Sequence, residues 1–99
     1  MALRLAPQAR ADLDEIWDHV FSESGSEAIA DRLLDSIADR FDFLTDWPKA
    51  GRQRDELSRG YRSHTAGDYV IFYRVVRTDL VVQRVLHGRR DIEAMFHER

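Results

Sequence analysis

The sequence predicts an α+β fold of order β-α-α-β-β-β, in which an N-terminal helical hairpin packs on a mainly antiparallel sheet. Three observations lead to it: a short alternating segment at the N-terminus, two amphipathic helical segments after it, and three apolar runs separated by turn residues in the C-terminal half. Helices and strands segregated along the chain in this way are typical of α+β domains. At 99 residues, the chain is expected to form a single domain over 1–99.

The first strand and the first helix are predicted from side-chain periodicity. Leu3 and Leu5 alternate around Arg4, which is the spacing of a strand. Pro7 follows where the first turn of a helix tolerates proline. The apolar residues after it recur at the i, i+3, i+4, i+7, i+8 spacing of one helical face. These residues are Leu13, Ile16, Trp17, Val20 and Phe21.

The second helix is predicted to begin at a serine and to end at a proline. Ser24 with Glu27 matches a capping box, and Ser26 is an equally good N-cap. The helix should end near Trp47, because Pro48 disfavours helical geometry in the residue before it. Its apolar face consists of Ile29, Leu33, Ile37, Phe41 and Leu44. Two such helices joined by a short loop form an antiparallel hairpin.

The C-terminal half is predicted to form a loop, three strands and a short helical end. Residues 48–54 form the loop, and turns at Ala66–Asp68 and at Thr78 with Asp79 connect the strands into two hairpins. The strands are Tyr61–His64, Tyr69–Val76 and Leu80–Leu86. Residues 91–98 are expected to add one or two helical turns, with Ile92, Met95 and Phe96 folding back.

The net charge of −3 conceals a polarity along the chain. Residues 1–47 carry a net charge of −7, and residues 48–99 carry +4. Such an asymmetry favours a basic face that attracts nucleic acid or an acidic protein. The simpler interpretation is that the helices carry solvated acids while the sheet happens to be rich in arginine.

Composition and motifs exclude several classes of protein. The chain has no cysteine, no apolar run near the ~20 residues that span a bilayer and no Gly-rich nucleotide motif. The four histidines lie far apart without a zinc-site spacing. We therefore expect a cytoplasmic, soluble protein with no metal, cofactor or membrane partner.

Cationic side chains lie within or just after the predicted strands. Arginine is rarely buried unless it is paired, so one face or edge of the sheet is expected to attract anions. The residues concerned are Arg62, Arg84, His87, Arg89 and Arg90, with Tyr73 beside them. Structural roles stay open for several: Arg84 can pair with Asp91 or another acid, His87 can bond backbone, and Tyr73 can be half-buried.

Five motifs occur in a fixed order along nearly the whole chain. They are Ala11-Asp12-Leu13-x-x-Ile16-Trp17, Pro48-x-x-Gly51-Arg52, Gly60-Tyr61-Arg62-Ser63, Tyr69-Val70-Ile71-Phe72-Tyr73-Arg74 and Arg84-Val85-Leu86-His87-Gly88-Arg89-Arg90-Asp91. In this combination the chain resembles the ParE/RelE superfamily of bacterial toxin–antitoxin toxins. The His-Gly-Arg-Arg-Asp ending is similar to the ParE branch.

The resemblance implies a toxin that a cognate ParD-like antitoxin neutralises in a hetero-oligomer. ParE-like members bind and poison DNA gyrase, a type II topoisomerase, whereas RelE-like members are ribosome-dependent mRNA endonucleases. Because one fold hosts both activities, the site has to decide between them. No cofactor and no small-molecule substrate is implied.

The residues favour the binding toxin. Cleavage of RNA without a metal requires a base and an acid as well as cations. The C-terminal tyrosine of RelE-like enzymes aligns with Phe96, which has no proton to exchange, and Lys49 is the chain's single lysine. His87, His64 and Tyr73 stay open as an acid or a base, so a RelE-like endonuclease is the alternative and a non-toxic member a third. No catalytic residue is assigned.

The target surface and the antitoxin surface are therefore predicted separately. The cationic set with Tyr73 is assigned to the target. The apolar faces of the two helices exceed what one face of a small sheet requires, and the excess is expected to form a groove for the antitoxin. The residues assigned to it are Trp17, Val20, Phe21, Leu33, Ile37 and Phe41. The antitoxin segment would dock as an amphipathic helix or as an added strand.

Overall fold

The computed structural model describes residues 1–90 together with Ile92 and Phe96. Over residues 1–90 it contains two helices and a five-stranded sheet. In chain order the elements are β1 (Ala2–Leu5), α1 (Pro7–Ser24), α2 (Glu27–Asp46), β2 (Arg52–Gln53), β3 (Arg62–Ala66), β4 (Tyr69–Val76) and β5 (Asp79–His87). In the described part of the chain, neither helix is apolar enough over a sufficient length to cross a membrane.

The predicted α+β architecture is confirmed. The strand order is β1-β5-β4-β3-β2, with β1 parallel to β5 and the other pairs antiparallel. Both helices pack on one face of the sheet, where the main core includes Ile16, Ile37, Phe41, Leu80 and Val82. The N-terminal strand thus lies beside the last strand, and the helical hairpin connects β1 at one edge of the sheet to β2 at the other edge.

The loop between the helices resolves the choice of N-cap. The hydroxyl of Ser26 accepts a hydrogen bond from the backbone N–H of Ile29 at 3.2 Å, so Ser26 caps α2. Gly25 ends α1 with φ 67°, a left-handed conformation that glycine adopts without steric cost. The sharp reversal follows from these two neighbouring residues.

Residues 48–54 do not form the plain loop that the sequence predicts. Arg52 and Gln53 form β2, which pairs with β3 through Ser63 and Arg62. A two-residue strand has no alternating pattern to detect, and only its pairing with β3 creates it. Of the longer strands, β4 begins and ends as predicted, while β3 and β5 differ by one or two residues at their ends.

A buried tyrosine holds the segment between α2 and β2. The hydroxyl of Tyr73 donates to the carbonyl of Pro48 at 2.8 Å and accepts from the N–H of Gly51 at 2.9 Å. A Cβ at position 51 would lie 2.4 Å from that hydroxyl, so the contact requires glycine there. Burial raises the pKa of Tyr73 above its ordinary value. The hydroxyl of a buried β4 residue, Tyr73, thus holds both ends of the Pro48-x-x-Gly51 motif.

The second face of the sheet carries a smaller core at one end. Leu57, Phe72 and Leu86 are buried there, and Ile92 and Phe96 pack against them. Ile92 and Phe96 are helical, as expected for the C-terminal segment. The rest of the predicted turns over 91–98, including Met95, lies outside the described residues.

Replacement of Tyr73 by phenylalanine should destabilise the fold by about 1–3 kcal/mol, because the buried N–H of Gly51 would lose its acceptor. The matched control is Tyr69→Phe, another buried tyrosine of β4, whose hydroxyl has no hydrogen bond within the described part of the chain. It should change stability by less than about 0.5 kcal/mol. Chemical denaturation of both variants measures the difference, and equal losses would contradict this role of the Tyr73 hydroxyl.

Candidate target-binding surface

The structure divides the six predicted target-binding residues into an internal group and an outer group. Arg62, Tyr73 and Arg84 are held by contacts within the fold. His87, Arg89 and Arg90 stand at the end of β5, where His87 is half-buried and both arginines are exposed. Only the outer group presents its side chains as a surface set.

Tyr73 and Arg62 serve the same loop. Tyr73 is 0% exposed, so its ring is not available to a target, and its assignment to the target surface is corrected to a core role. Arg62 is its cross-strand neighbour and donates to the carbonyl of Gly51 at 2.8 Å. Arg62 therefore binds the α2–β2 segment rather than an external anion.

Arg84 is engaged by a carboxylate that the sequence did not single out. Its Nε and Nη2 donate to the two oxygens of Asp12 at 2.8 and 2.9 Å, and the N–H of Val85 donates to the same carboxylate at 2.9 Å. Asp12 is 7% exposed. The hydrogen bond to the carboxylate of Asp12 raises the pKa of Arg84. The internal partner that the sequence left open is thus Asp12, which gives Arg84 a structural role, while its assignment to the target surface stays a prediction.

The position of Asp12 follows from the shortness of β1. The pairing of β1 with β5 ends at Leu5 and Val82, after which the N–H of Ala6 donates to the carbonyl of Val82 at 2.9 Å. Beyond that point the edge of β5 is exposed to the first turns of α1. Asp12 comes one and a half turns into α1 and accepts the edge N–H of Val85. The buried carboxylate of Asp12 thus accepts a backbone N–H of β5 at the position where β1 no longer provides an acceptor.

Backbone hydrogen bonds shape the turn after β5, residues 87–90. The N–H of Gly88 donates to the carbonyl of Asp68 at 2.8 Å, and the N–H of Arg90 donates to the carbonyl of His87 at 3.1 Å. Nδ1 of His87 accepts the N–H of Arg89 at 3.1 Å, and the imidazole lies edge-on to Tyr69 with ring centroids 5.3 Å apart. The imidazole is therefore oriented by its neighbours, with Nδ1 used internally.

A cleft of about 480 Å³ separates α1 from this turn. Its lining includes Glu15 and His19 on the helix side and His87, Arg89 and Arg90 on the opposite side. Its floor is made by apolar residues of α1 and the sheet, among them Ile16, Val85 and Leu86. The outer cationic group thus forms one wall of an open cleft, at the end of the sheet that Asp12 ties to α1.

Two positions weighed for the nuclease alternative lie apart from this cleft: His64, a candidate acid or base, and Phe96, which aligns with the RelE-like tyrosine. His64 stacks on Phe43 of α2 at 5.5 Å, and burial, followed by the charge of Arg40, lowers its pKa. Phe96 packs edge-on against Tyr61 at 5.3 Å and Phe72 at 4.9 Å, on the face away from the helices. The structure therefore does not bring His64, Phe96 and His87 into one constellation. Within the described residues, no three metal-ligating side chains converge.

Comparison with known proteins identifies the family. Residues 3–92 match the family described as "ParE toxin of type II toxin-antitoxin system, parDE". The chain belongs to the ParE toxin family. Its partner class is accordingly an antitoxin of a type II toxin–antitoxin system.

Individual relatives agree with this assignment. The chain is 38% identical to Toxin ParE1 of Mycobacterium tuberculosis, over 90% of this chain and 91% of the relative. It is 38% identical to Toxin ParE1 of Caulobacter vibrioides, over 92% and 93% of the two chains. A solved structure, "Chromosomal ParDE TA system from P. aeruginosa", superposes with a TM-score of 0.77 at 25% identity, covering 88% of this chain and 95% of that one.

The residues assigned to the antitoxin also separate into buried and accessible ones. Ile37 is 0% and Phe41 is 4% exposed, and both belong to the main core, so neither is available to a partner. Trp17, Val20 and Leu33 are half-buried, and Phe21 is 39% exposed. The sequence predicts one continuous apolar face, but the sheet covers the part on the C-terminal half of α2 and leaves the end near the helix–helix loop partly open. Ile29, which is 46% exposed at that end, was not assigned.

Replacement of Asp12 by alanine should lower the free energy of unfolding by about 3 kcal/mol, because it leaves the buried guanidinium of Arg84 and the N–H of Val85 without an acceptor. Asp14→Ala is the control, since Asp14 is exposed two residues away on the same helix. It should stay within about 0.5 kcal/mol of the wild type. Urea denaturation decides, and equal effects of the two variants would contradict the tie between α1 and β5.

Proposed function

We propose that this ParE-family toxin inhibits growth by binding and poisoning DNA gyrase, and that a ParD-like antitoxin neutralises it. The observation that carries the proposal is the turn at residues 87–90, where His87, Arg89 and Arg90 project together beside an open cleft. The guanidinium group forms paired hydrogen bonds with a carboxylate or a phosphate. A gyrase subunit and the DNA that it holds offer both.

The arrangement around the turn supports adhesion better than proton transfer. Nδ1 of His87 already accepts a backbone N–H. Tyr73 is 0% exposed and is hydrogen-bonded to the segment between α2 and β2. Phe96 packs edge-on against two aromatic rings and has no exchangeable proton on its side chain. A nuclease needs a matched acid and base within reach of one phosphate.

The proposal predicts that Arg89→Ala combined with Arg90→Ala weakens gyrase inhibition at least tenfold, since two charge-assisted contacts are removed from an exposed turn. The control is Arg10→Ala with Arg32→Ala, two exposed arginines on the helices, which should inhibit like the wild type. Purified gyrase in a supercoiling assay gives the concentration for half-inhibition, and circular dichroism verifies the fold.

Three outcomes would contradict this proposal. The first is undiminished growth inhibition by the double variant of the turn. The second is an equal loss of gyrase inhibition in the control pair. The third is cleavage of mRNA in programmed ribosomes by the wild type, abolished by His87→Gln, which would favour the RelE-like alternative.

For the antitoxin, we propose docking at the end of the helical hairpin that the sheet leaves uncovered. Trp17 and Phe21 stack at 5.2 Å, and the indole Nε1 of Trp17 donates to Asp31 on α2 at 2.9 Å. This hydrogen bond connects α1 to α2 and so orients Trp17, and with it the stacked Phe21, before any partner binds. Ordered aromatic side chains at a partly exposed site are typical anchors for a docking helix.

Phe21→Ala should weaken antitoxin binding at least tenfold and change the stability of the free toxin little, because the side chain is largely outside the core. Phe43→Ala is the matched control, as Phe43 is 37% exposed on α2 and Phe21 is 39% exposed on α1. Titration calorimetry with the co-purified antitoxin measures both affinities. A loss confined to Phe43→Ala would move the docking site to the other end of the hairpin.

A further inference from the structure

The sheet face that points away from the helices carries a row of arginines across its open half. Strand register places Arg4 of β1 beside Val81 of β5, and Val81 beside Arg74 of β4. Tyr61 follows on the other side of Arg74, and the N–H of Arg54 donates to the carbonyl of Tyr61 at 2.8 Å. With strands about 4.8 Å apart, Arg74 lies roughly 10 Å from each of the two outer arginines.

The two outer arginines already have carboxylate partners within the chain. Nη1 of Arg4 lies 3.4 Å from Asp79, and Nε of Arg54 donates to Glu56 at 2.7 Å. The hydrogen bond from Arg54 lowers the pKa of Glu56. The fold therefore supplies one acid to each end of the row.

Among the described residues, no acid pairs in this way with Arg74, in the middle of the row. Its Nε is buried and has no hydrogen-bond acceptor among the described residues. Buried donors are nearly always paired in native proteins, and an unpaired one calls for a specific explanation. Within the described residues, Arg74 therefore keeps hydrogen-bonding capacity that its two neighbours in the row have already used.

The surroundings of Arg74 orient its guanidinium for such a group. The guanidinium carbon lies 5.6 Å from the ring centroid of Tyr61, within the range of a cation–π contact. Stacking on a ring occupies the flat side of the group and leaves its in-plane N–H donors available. The two Nη groups can then donate to both oxygens of a carboxylate, a paired contact like the one that Arg84 makes with Asp12 through Nε and Nη2.

We propose that Arg74 is an anchor for an acidic side chain of the antitoxin, on the sheet face opposite the helical docking site. The proposal goes beyond gyrase inhibition and does not depend on it. It implies that the antitoxin contacts both layers of the toxin. An acidic residue of the bound antitoxin completes the row in which Arg4 and Arg54 are paired already.

The charges along the row favour a protein carboxylate over nucleic acid. Asp79 and Glu56 flank the row, and a phosphate backbone with its closely spaced charges would meet both. A polypeptide can present one carboxylate and place apolar side chains on Val76 and Val81, which lie on the same face of β4 and β5. Among protein partners, the antitoxin is the one that the family establishes.

The direct test follows the side-chain Nε–Hε resonance of Arg74 by nitrogen-15 NMR in the free wild-type toxin and in its complex with the co-purified antitoxin. We expect this resonance to shift on complex formation and to exchange more slowly with water. An unchanged resonance in the saturated complex would overturn the proposal. A second sample receives a 20-base-pair DNA duplex instead, and a shift with DNA alone would assign the site to phosphate and also overturn it.

Variants give an independent measurement of affinity. Arg74→Gln should weaken antitoxin binding at least tenfold, and Arg74→Lys, which keeps the charge but loses Nε, should weaken it nearly as much. Arg32→Gln on α2 is the matched charge control and should bind like the wild type. Equal binding by wild type and both Arg74 variants would contradict the anchor. Gyrase inhibition by these variants should be unchanged, which separates this site from the turn at residues 87–90.

Discussion

One buried carboxylate connects the two layers of this toxin. Asp12 lies near the start of α1, yet its carboxylate accepts hydrogen bonds from Nε and Nη2 of Arg84 and from the N–H of Val85 at the edge of β5. The strand next to β5 stops at Leu5, so without this carboxylate the end of the sheet would have a buried donor facing a helix. The turn that carries His87, Arg89 and Arg90 continues directly from this point. The proposed target surface thus depends on an ion pair that is itself hidden.

Some arginines of the sheet and of the turn after it make contacts within the fold, and others are exposed at the surface. Arg62 and Arg84 hold backbone and a carboxylate within the fold, whereas Arg89 and Arg90 are exposed in the turn after β5. An arginine that is removed from water requires hydrogen-bond partners, and Arg62 and Arg84 find theirs within the chain. Arg74 is intermediate, since its guanidinium stacks on Tyr61 but its buried Nε has no acceptor in the described part of the chain. The number of arginines in the sequence therefore overestimates how many of them form an accessible cationic surface, because some are engaged within the fold.

The far face of the sheet bears on the choice between the two activities of the superfamily. Phe72, Leu57 and Leu86 are buried there, and Phe96 packs over them beside Tyr61. An aromatic residue without a hydroxyl, enclosed in an apolar cluster, stabilises the sheet and the C-terminal segment. The same position in a nuclease would have to exchange a proton. This packing is consistent with the membership of the chain in the ParE family.

Local sequence determined most of the fold but only part of the site. Periodicity and turn residues placed both helices and the three long strands, because each of those signals depends on neighbours in the chain. The two-residue β2, the burial of Ile37 and Phe41 and the core role of Tyr73 were decided only by packing, as they depend on which face meets the sheet. The pairing of Asp12 with Arg84 spans 72 residues, and the local motif that contains Asp12 does not indicate its partner or its burial. The tertiary structure alone therefore decided which charged residues remain available to a partner.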